Sequence, residues 1–264
     1  MIEIDNLTVV FNPQTPIERT ALSGLSLRLG SGEFVSVIGS NGAGKSTLLG
    51  AVAGDIPIHT GRIMVSGFDV THLPTNKRAN YVARVFQDPL AGSCGNMTIS
   101  ENLALAFSRG KRRNFLPALR KRVMVQLRER IAELQLGLED RMNQPMASLS
   151  GGQRQSLALV MATLAPSNIL LLDEHTAALD PSNAEFVLKL TRQLAEQYNL
   201  TVLMVTHSMR QALEFGTRTI MLHSGKIILD IRDPERNGLS IEDLVQMFKD
   251  ARGEELTEDR LLVS

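Results

Sequence analysis

Residues Phe34-Val35-Ser36-Val37-Ile38-Gly39-Ser40-Asn41-Gly42-Ala43-Gly44-Lys45-Ser46 decide the reading of this chain. An apolar run ends in a glycine-rich turn, and Lys45 then opens a helical pattern that reaches about Ala53. Gly39 to Ser46 fits G-x-x-x-x-G-K-[ST] in the strand-to-helix context that makes this pattern a phosphate cradle. The glycines let the backbone wrap an anion closely. N–H groups and the helix N-terminus supply positive potential, Lys45 reaches the outer phosphates, and Ser46 can ligate Mg²⁺.

Two further stretches carry chemistry. Ile169-Leu170-Leu171-Leu172 reads as a fully buried strand ending in Asp173-Glu174. Both carboxylates then emerge at the carboxyl edge of the sheet, where ligands of open α/β sheets bind. Asp173 is expected to hold Mg²⁺ and Glu174 to polarise water. Leu149-Ser150-Gly151-Gly152-Gln153 precedes a helical run over 153 to 165 and offers a second set of N–H groups at a positive helix end, with a hydroxyl but no lysine. Standing alone it reads as a serine helix cap with flexible glycines. Beside a complete cradle it makes most sense as the cap of a phosphate held elsewhere.

Around these motifs, short β-branched runs alternate with helical patterns, which predicts an α/β fold with a mostly parallel sheet. Strands are expected at 2 to 10, 25 to 29, 61 to 65, 81 to 86, 168 to 173 and 201 to 206. Those at 218 to 223 and 226 to 230 flank the turn Ser224-Gly225 as a hairpin. The opening strands form an N-terminal antiparallel element. A helical subdomain of about residues 88 to 165 is inserted in the core, broken by Gly or Pro at 110, 117, 137 and 145. Helices follow at 182 to 198, 208 to 215 and around 241 to 250. Residues 1 to 230 are expected to form a single catalytic domain, and residues 231 to 264 a short extension ending in an acidic tail (Glu254, Glu255, Glu258, Asp259).

Composition narrows the class of function. The chain has 264 residues, 43% hydrophobic and 21% charged, so disorder and collagen-like structure are excluded. Lys+Arg and Asp+Glu both number 28, giving zero formal charge and no global field toward nucleic acid or membrane. The single cysteine, Cys94, forms neither an internal disulfide nor a thiolate metal site, which favours a reducing compartment. Glu3 and Asp5 interrupt the opening residues, the wrong pattern for a signal peptide. The longest apolar stretch, Leu157 to Ala165, is well short of the roughly 20 residues that cross a bilayer. A basic stretch (Arg109, Lys111, Arg112, Arg113, Arg120, Lys121, Arg122) holds no acid. It reads either as a solvated surface or as a contact for anionic lipid headgroups.

From about residue 2 to 230 the chain resembles the ATP-binding subunit of an ABC transporter, with the family's motifs in the family's order. Gly39 to Ser46 resembles Walker A, Gln87 the Q-loop, Leu149 to Gln153 the signature, Leu170 to Asp173 Walker B, Ala178-Leu179-Asp180 the D-loop and His207 the switch histidine. The resemblance implies a P-loop NTPase core and an ATPase that uses ATP and Mg²⁺. Lys45, Gln87, Glu174 and His207 would be catalytic, and Ser46, Gln87 and Asp173 would surround the metal. Nucleotide contacts would come from Phe11, Gly39, Ser40, Asn41, Gly42, Ala43, Gly44, Lys45, Ser46 and Thr47. Ser150, Gly152 and Gln153 would complete the site from the other copy of a head-to-tail homodimer, and Gly151 and Asp180 would also contact nucleotide. Phe11 falls where the family places an adenine-stacking aromatic, although the insertion Asn12 to Thr20 intervenes.

The same resemblance implies separate transmembrane permease subunits, a peripheral position on the cytoplasmic face of the inner membrane, and no nucleic-acid partner. Import of a small solute, such as an amino acid, would also involve an extracellular substrate-binding protein. His175 stands where proline is usual and receives no catalytic role. A non-transport ABC ATPase acting on a nucleic-acid or ribosomal partner is the competing reading. It lacks both the long coiled coil of DNA-tethering relatives and the second cassette of ribosomal ones. A P-loop kinase or GTPase leaves the signature unexplained.

Overall fold

The computed structural model describes residues 1–111 and 119–252. Pro117, Arg112, Arg113 and the acidic tail lie outside the described residues. The chain opens with β1 (Ile2–Phe11) and β2 (Arg19–Leu29), followed by β3 (Phe34–Gly39) and α1 (Lys45–Ala53). Next come β4 (Thr60–Val65), β5 (Phe68–Asp69), the single-turn α2 (Thr75–Arg78) and β6 (Val82–Val85). The helical insertion contains α3 (Ile99–Phe107), α4 (Lys121–Ala132) and α5 (Gly151–Thr163). Then follow β7 (Ile169–Asp173), α6 (Pro181–Gln197), β8 (Thr201–Val205) and α7 (Met209–Glu214). The described part ends with β9 (Arg218–His223), β10 (Lys226–Arg232) and α8 (Ile241–Arg252).

Among the described residues the strands form two sheets. One is antiparallel, in the order β2-β1-β4-β5; the other runs β10-β9-β3-β8-β7-β6 and is parallel except at the β9–β10 hairpin. The α/β class, the mostly parallel core and the antiparallel N-terminal element are therefore as the sequence predicted.

The apolar character of β7 has a direct structural cause. Ile169 and Leu171 point to the layer that holds α1 and the N-terminal sheet, whereas Leu170 and Leu172 point to the layer of α3, α5 and α6. A parallel strand covered on both faces reads as an unbroken hydrophobic run because its period of two never meets water.

β2 begins at Arg19, earlier than the expected 25 to 29 and inside the stretch read as an insertion. Its first residues pair with β1 through register shifts between Ile4 and Leu7, Leu7 and Val9, and Val9 and Val10. Those bulges break the alternation on which the sequence reading relied. The loop between the strands is tied down by Glu18, whose side chain accepts from Gln14 N at 2.7 Å.

The helical insertion is closed at its base. Thr98 pairs with Pro145, Ile99 N donates to Gln144 O at 2.9 Å, and Met146 N donates to Met97 O at 2.9 Å. Arg109 differs from both readings of the basic stretch. Its half-buried guanidinium donates to Ala162 O and Ala165 O at 2.7 and 3.2 Å, so it caps the C-terminal end of α5.

Candidate functional site

The strand order places β8 between β3 and β7, so the carboxyl ends of these three strands lie side by side. The glycine-rich turn leaves β3, Asp173 closes β7 with Glu174 just after it, and His207 follows β8. Sequence positions far apart thereby meet at one sheet edge. They surround a cleft of about 200 Å³ lined by Phe11, Arg19, Ala21, residues 41 to 47, Glu174 and His207.

The turn is held in a shape that only glycine permits. Gly44 sits at φ 102, and a Cβ there would lie 2.7 Å from Ala21 O. Gly39 sits at φ 150, where a Cβ would meet Leu222 O at 2.2 Å. Gly225, in the β9–β10 turn, donates its N–H to Ala43 O at 3.0 Å and braces the loop from behind. Gly44 is the N-cap of α1 and brings no capping side chain, so the helix presents backbone N–H groups to an anion. Lys45 is 5% exposed, and its Nζ donates to Gly39 O at 2.7 Å and Ser40 O at 3.1 Å. The ammonium lies folded against the rim of the loop where a polyphosphate would sit.

Ser46 Oγ donates to Asp173 Oδ1 at 3.3 Å. One hydroxyl and one carboxylate, beside a cradle for phosphates, is the sparse donor set that suits Mg²⁺, which keeps several waters and takes other ligands from the nucleotide. Among the described residues no three His, Cys, Asp or Glu side chains gather into a cage that could hold a metal ion without such help. The outer oxygen of Asp173 is held by Arg84, whose Nη2 donates to Oδ2 at 2.6 Å. Glu174 has φ 47, uncommon for a side chain of its kind, and its N–H donates to Val205 O at 3.0 Å. That backbone turn brings Glu174 Oε1 to 2.5 Å from His207 Nε2.

The remaining candidate residues stand elsewhere. Gln87 lines a second cleft of about 540 Å³ together with Asp173, Gly151 and Arg154. Ser150 is the N-cap of α5: its hydroxyl accepts from Gln153 N at 3.3 Å, and Gln153 Oε1 accepts from Ser150 N at 3.2 Å, a reciprocal capping box. A Cβ at Gly152 would meet Asn183 Oδ1 at 2.5 Å, so the glycine also lets α5 approach α6. Asp180 caps α6, and hydrogen bonds from the Asn183 side chain and backbone, then Ser182, hold its carboxyl down at about 2. None of Ser150, Gly151, Gly152, Gln153 and Asp180 lines the Lys45 cleft.

Sequence reasoning missed Arg19 and Arg84. Arg19 pairs with Phe11 across the β1–β2 ladder and donates to Gly42 O at 3.4 Å. Only the register shifts of β1 bring it to the cleft, and a lone arginine carries no signal of that kind. Arg84 lay three residues before Gln87 without a motif of its own. His175, left without a role, is buried and hydrogen-bonded to Thr191 Oγ1 at 3.1 Å; burial pushes its imidazole down to about 4, so it packs as a neutral ring.

Comparison with known proteins agrees with this geometry. The family profile described as ABC transporter matches residues 22–177. The chain is 43% identical over 249 residues to the tyrosine transport ATP-binding protein of Clostridioides difficile (strain R20291), covering 94% of this chain and 99% of that protein. It is 34% identical over 202 residues to the thiamine import ATP-binding protein ThiQ of Escherichia coli (strain K12), covering 76% and 82% respectively. Among solved structures it is similar to a dimeric, post-hydrolysis state of the ATP-binding cassette MJ0796 bound to ADP and Pi. That likeness has a TM-score of 0.74 at 28% identity, over 88% of this chain and 98% of the other. With an intact phosphate cradle, a carboxylate pair at the strand end and these relatives, the chain belongs to the ABC transporter family as an ATP-binding subunit and is an ATPase.

Proposed function

We propose that the chain drives import of a small solute as a head-to-tail homodimer bound to separate transmembrane permease subunits at the cytoplasmic face of the membrane. One observation carries the dimer: Lys45, Ser46, Asp173, Glu174 and His207 gather at one sheet edge, while Ser150 to Gln153 stay outside that cleft. The cleft, at about 200 Å³, is below the roughly 300 to 1,000 Å³ of sites that enclose a drug-sized ligand. A nucleotide seated on Lys45 keeps one face open, and the lysine-free helix end of a second copy suits that face. The dimeric state of the MJ0796 cassette supports the same arrangement.

Within this reading residues 39 to 47 wrap the phosphates, and Phe11 stacks on the base. Arg19 adds positive charge beside the loop. Ser46 and Asp173 would hold Mg²⁺, with Gln87 reaching toward it; the ion would neutralise phosphate charge and orient the nucleotide. Glu174 accepts a proton from the attacking water, and His207 keeps that carboxylate oriented and contacts the outer phosphate. Such positioning and electrostatic stabilisation supply most of the acceleration in phosphoryl transfer.

The solute is proposed to be tyrosine or a related amino acid, from the name of the 43% identical relative, which covers nearly the whole chain. An extracellular binding protein would deliver it. The dimer is tested by mixing two inactive variants, Lys45→Ala and Ser150→Phe. A head-to-tail heterodimer contains one site free of both lesions, so the mixture regains ATPase activity that neither variant has alone. A mixture as inactive as its components would overturn the shared site.

A further inference from the structure

We infer that Arg84 is a positioning residue for the metal: it clamps one oxygen of Asp173 so that the other is presented to Ser46. The inference rests on the reading of Asp173 and Ser46 as the metal pair.

Arg84 lies on β6 opposite Leu171 of β7. Leu171 and Asp173 share a face, since side chains two apart on a strand point the same way. A long side chain at position 84 therefore reaches the diagonal neighbour Asp173. On this face α1 covers the sheet, and Asp55 follows just after its C-cap, Gly54. The guanidinium spans the gap: Nη1 lies 2.7 Å from Asp55 Oδ2 and Nη2 lies 2.6 Å from Asp173 Oδ2. Its carbon also sits 4.6 Å from the centre of the Phe86 ring, next to Gln87.

The side chains of Arg84 and Asp173 are only 15% and 14% exposed, so water screens the pair weakly. With Oδ2 taken by a planar donor anchored at its far end, rotation of the carboxylate would break a charge-assisted hydrogen bond. Oδ1 then remains directed at Ser46 Oγ, 3.3 Å away. One oxygen is offered to a metal, and bidentate binding is disfavoured. The relay Asp55–Arg84–Asp173 also joins the end of the cradle helix to the strand that delivers Gln87, so a shift of either changes how the metal oxygen is held. Partners that orient a ligating carboxylate typically change metal affinity by about 10- to 100-fold when removed.

The test is equilibrium binding of Mn²⁺, as a paramagnetic substitute for Mg²⁺, to the full-length protein saturated with ADP, read by electron paramagnetic resonance. Metal-free ADP binding is measured in parallel in EDTA. Arg84→Met is expected to weaken Mn²⁺ about tenfold and to leave metal-free ADP binding unchanged. Arg84→Lys keeps the charge and is expected to remain weak, because an ammonium cannot bridge two carboxylates in a fixed plane. Asp55→Asn, a change at the more exposed end, should give a smaller loss in the same direction. Mn²⁺ affinity that is unchanged or tighter in both Arg84 variants overturns the inference, even if their thermal stability falls. Asp173→Asn separates the two levels of the argument. Loss of Mn²⁺ there with normal Arg84 variants overturns the clamp alone, while undiminished Mn²⁺ binding by Asp173→Asn overturns the assignment of the metal pair as well.

Discussion

His207 Nε2 lies 2.5 Å from Glu174 Oε1, although one residue follows β8 and the other follows β7. The contact exists because β7 and β8 are hydrogen-bonded neighbours, with Asp173 opposite Val205, and because Glu174 turns back through a positive φ to bond Val205 O. A carboxylate held in that way points at the cleft with its imidazole partner already in place.

Glu174→Gln keeps the shape of this contact and removes the carboxylate proposed as the base. Turnover is expected to fall by about 10²- to 10⁴-fold, while ATP affinity stays close to that of the unaltered chain. The measurement is steady-state hydrolysis beside ATP binding, followed by size-exclusion chromatography with ATP. A slow variant that elutes as an ATP-dependent dimer agrees with the assignment. Wild-type turnover in the glutamine variant would remove Glu174 from the chemistry.

Arg236 fastens the segment after β10 to α7 and the residues that follow it. It is 4% exposed, and its guanidinium donates to Ala212 O, Leu213 O, Phe215 O and Gly216 O and to Thr219 Oγ1. Two of those carbonyls belong to the last turn of α7, the helix that follows His207, and a third to its C-cap, Phe215. Arg236→Met strands these buried acceptors and is expected to cost ~3 kcal/mol. Urea unfolding reads this as a lower midpoint at constant slope. A midpoint unchanged within error would show that water replaces the guanidinium.

His175 predicts the direction of a pH effect. Burial holds its imidazole neutral down to about 4 in the folded chain, against 6.5 when unfolded. Between those values the unfolded state binds the extra proton, so stability is complete above 6.5 and is lost as pH falls toward 4. From pH 7 to pH 5 the loss from this group is ~2 kcal/mol. His175→Gln, which can still bond Thr191, should show a smaller decline over the same interval in EDTA-treated, nucleotide-free protein. Parallel declines in the two proteins would assign the acid sensitivity to other groups.

Some of this is legible in the amino-acid sequence alone. The cradle was legible because a strand, a turn that needs glycine and a helix start are local events, fixed by residues close in sequence. Ile169 to Leu172 was legible because a strand buried on both faces has no polar position to interrupt it. β2 was misjudged at its start because bulges in β1 replace simple alternation, and Arg109 was misjudged because its partners, Ala162 and Ala165, belong to another helix.

By itself, then, the sequence determined the cradle, the carboxylates at the end of β7 and the order of the motifs, since each depends on neighbours a few residues away. Only the tertiary structure decided that β8 lies between β3 and β7, that His207 meets Glu174, that Arg84 grips Asp173, and that Ser150 is not among the residues lining the Lys45 cleft of its own chain. Those facts arise from strand order and from packing across long sequence separations, where a residue's type does not specify which distant side chain it will touch.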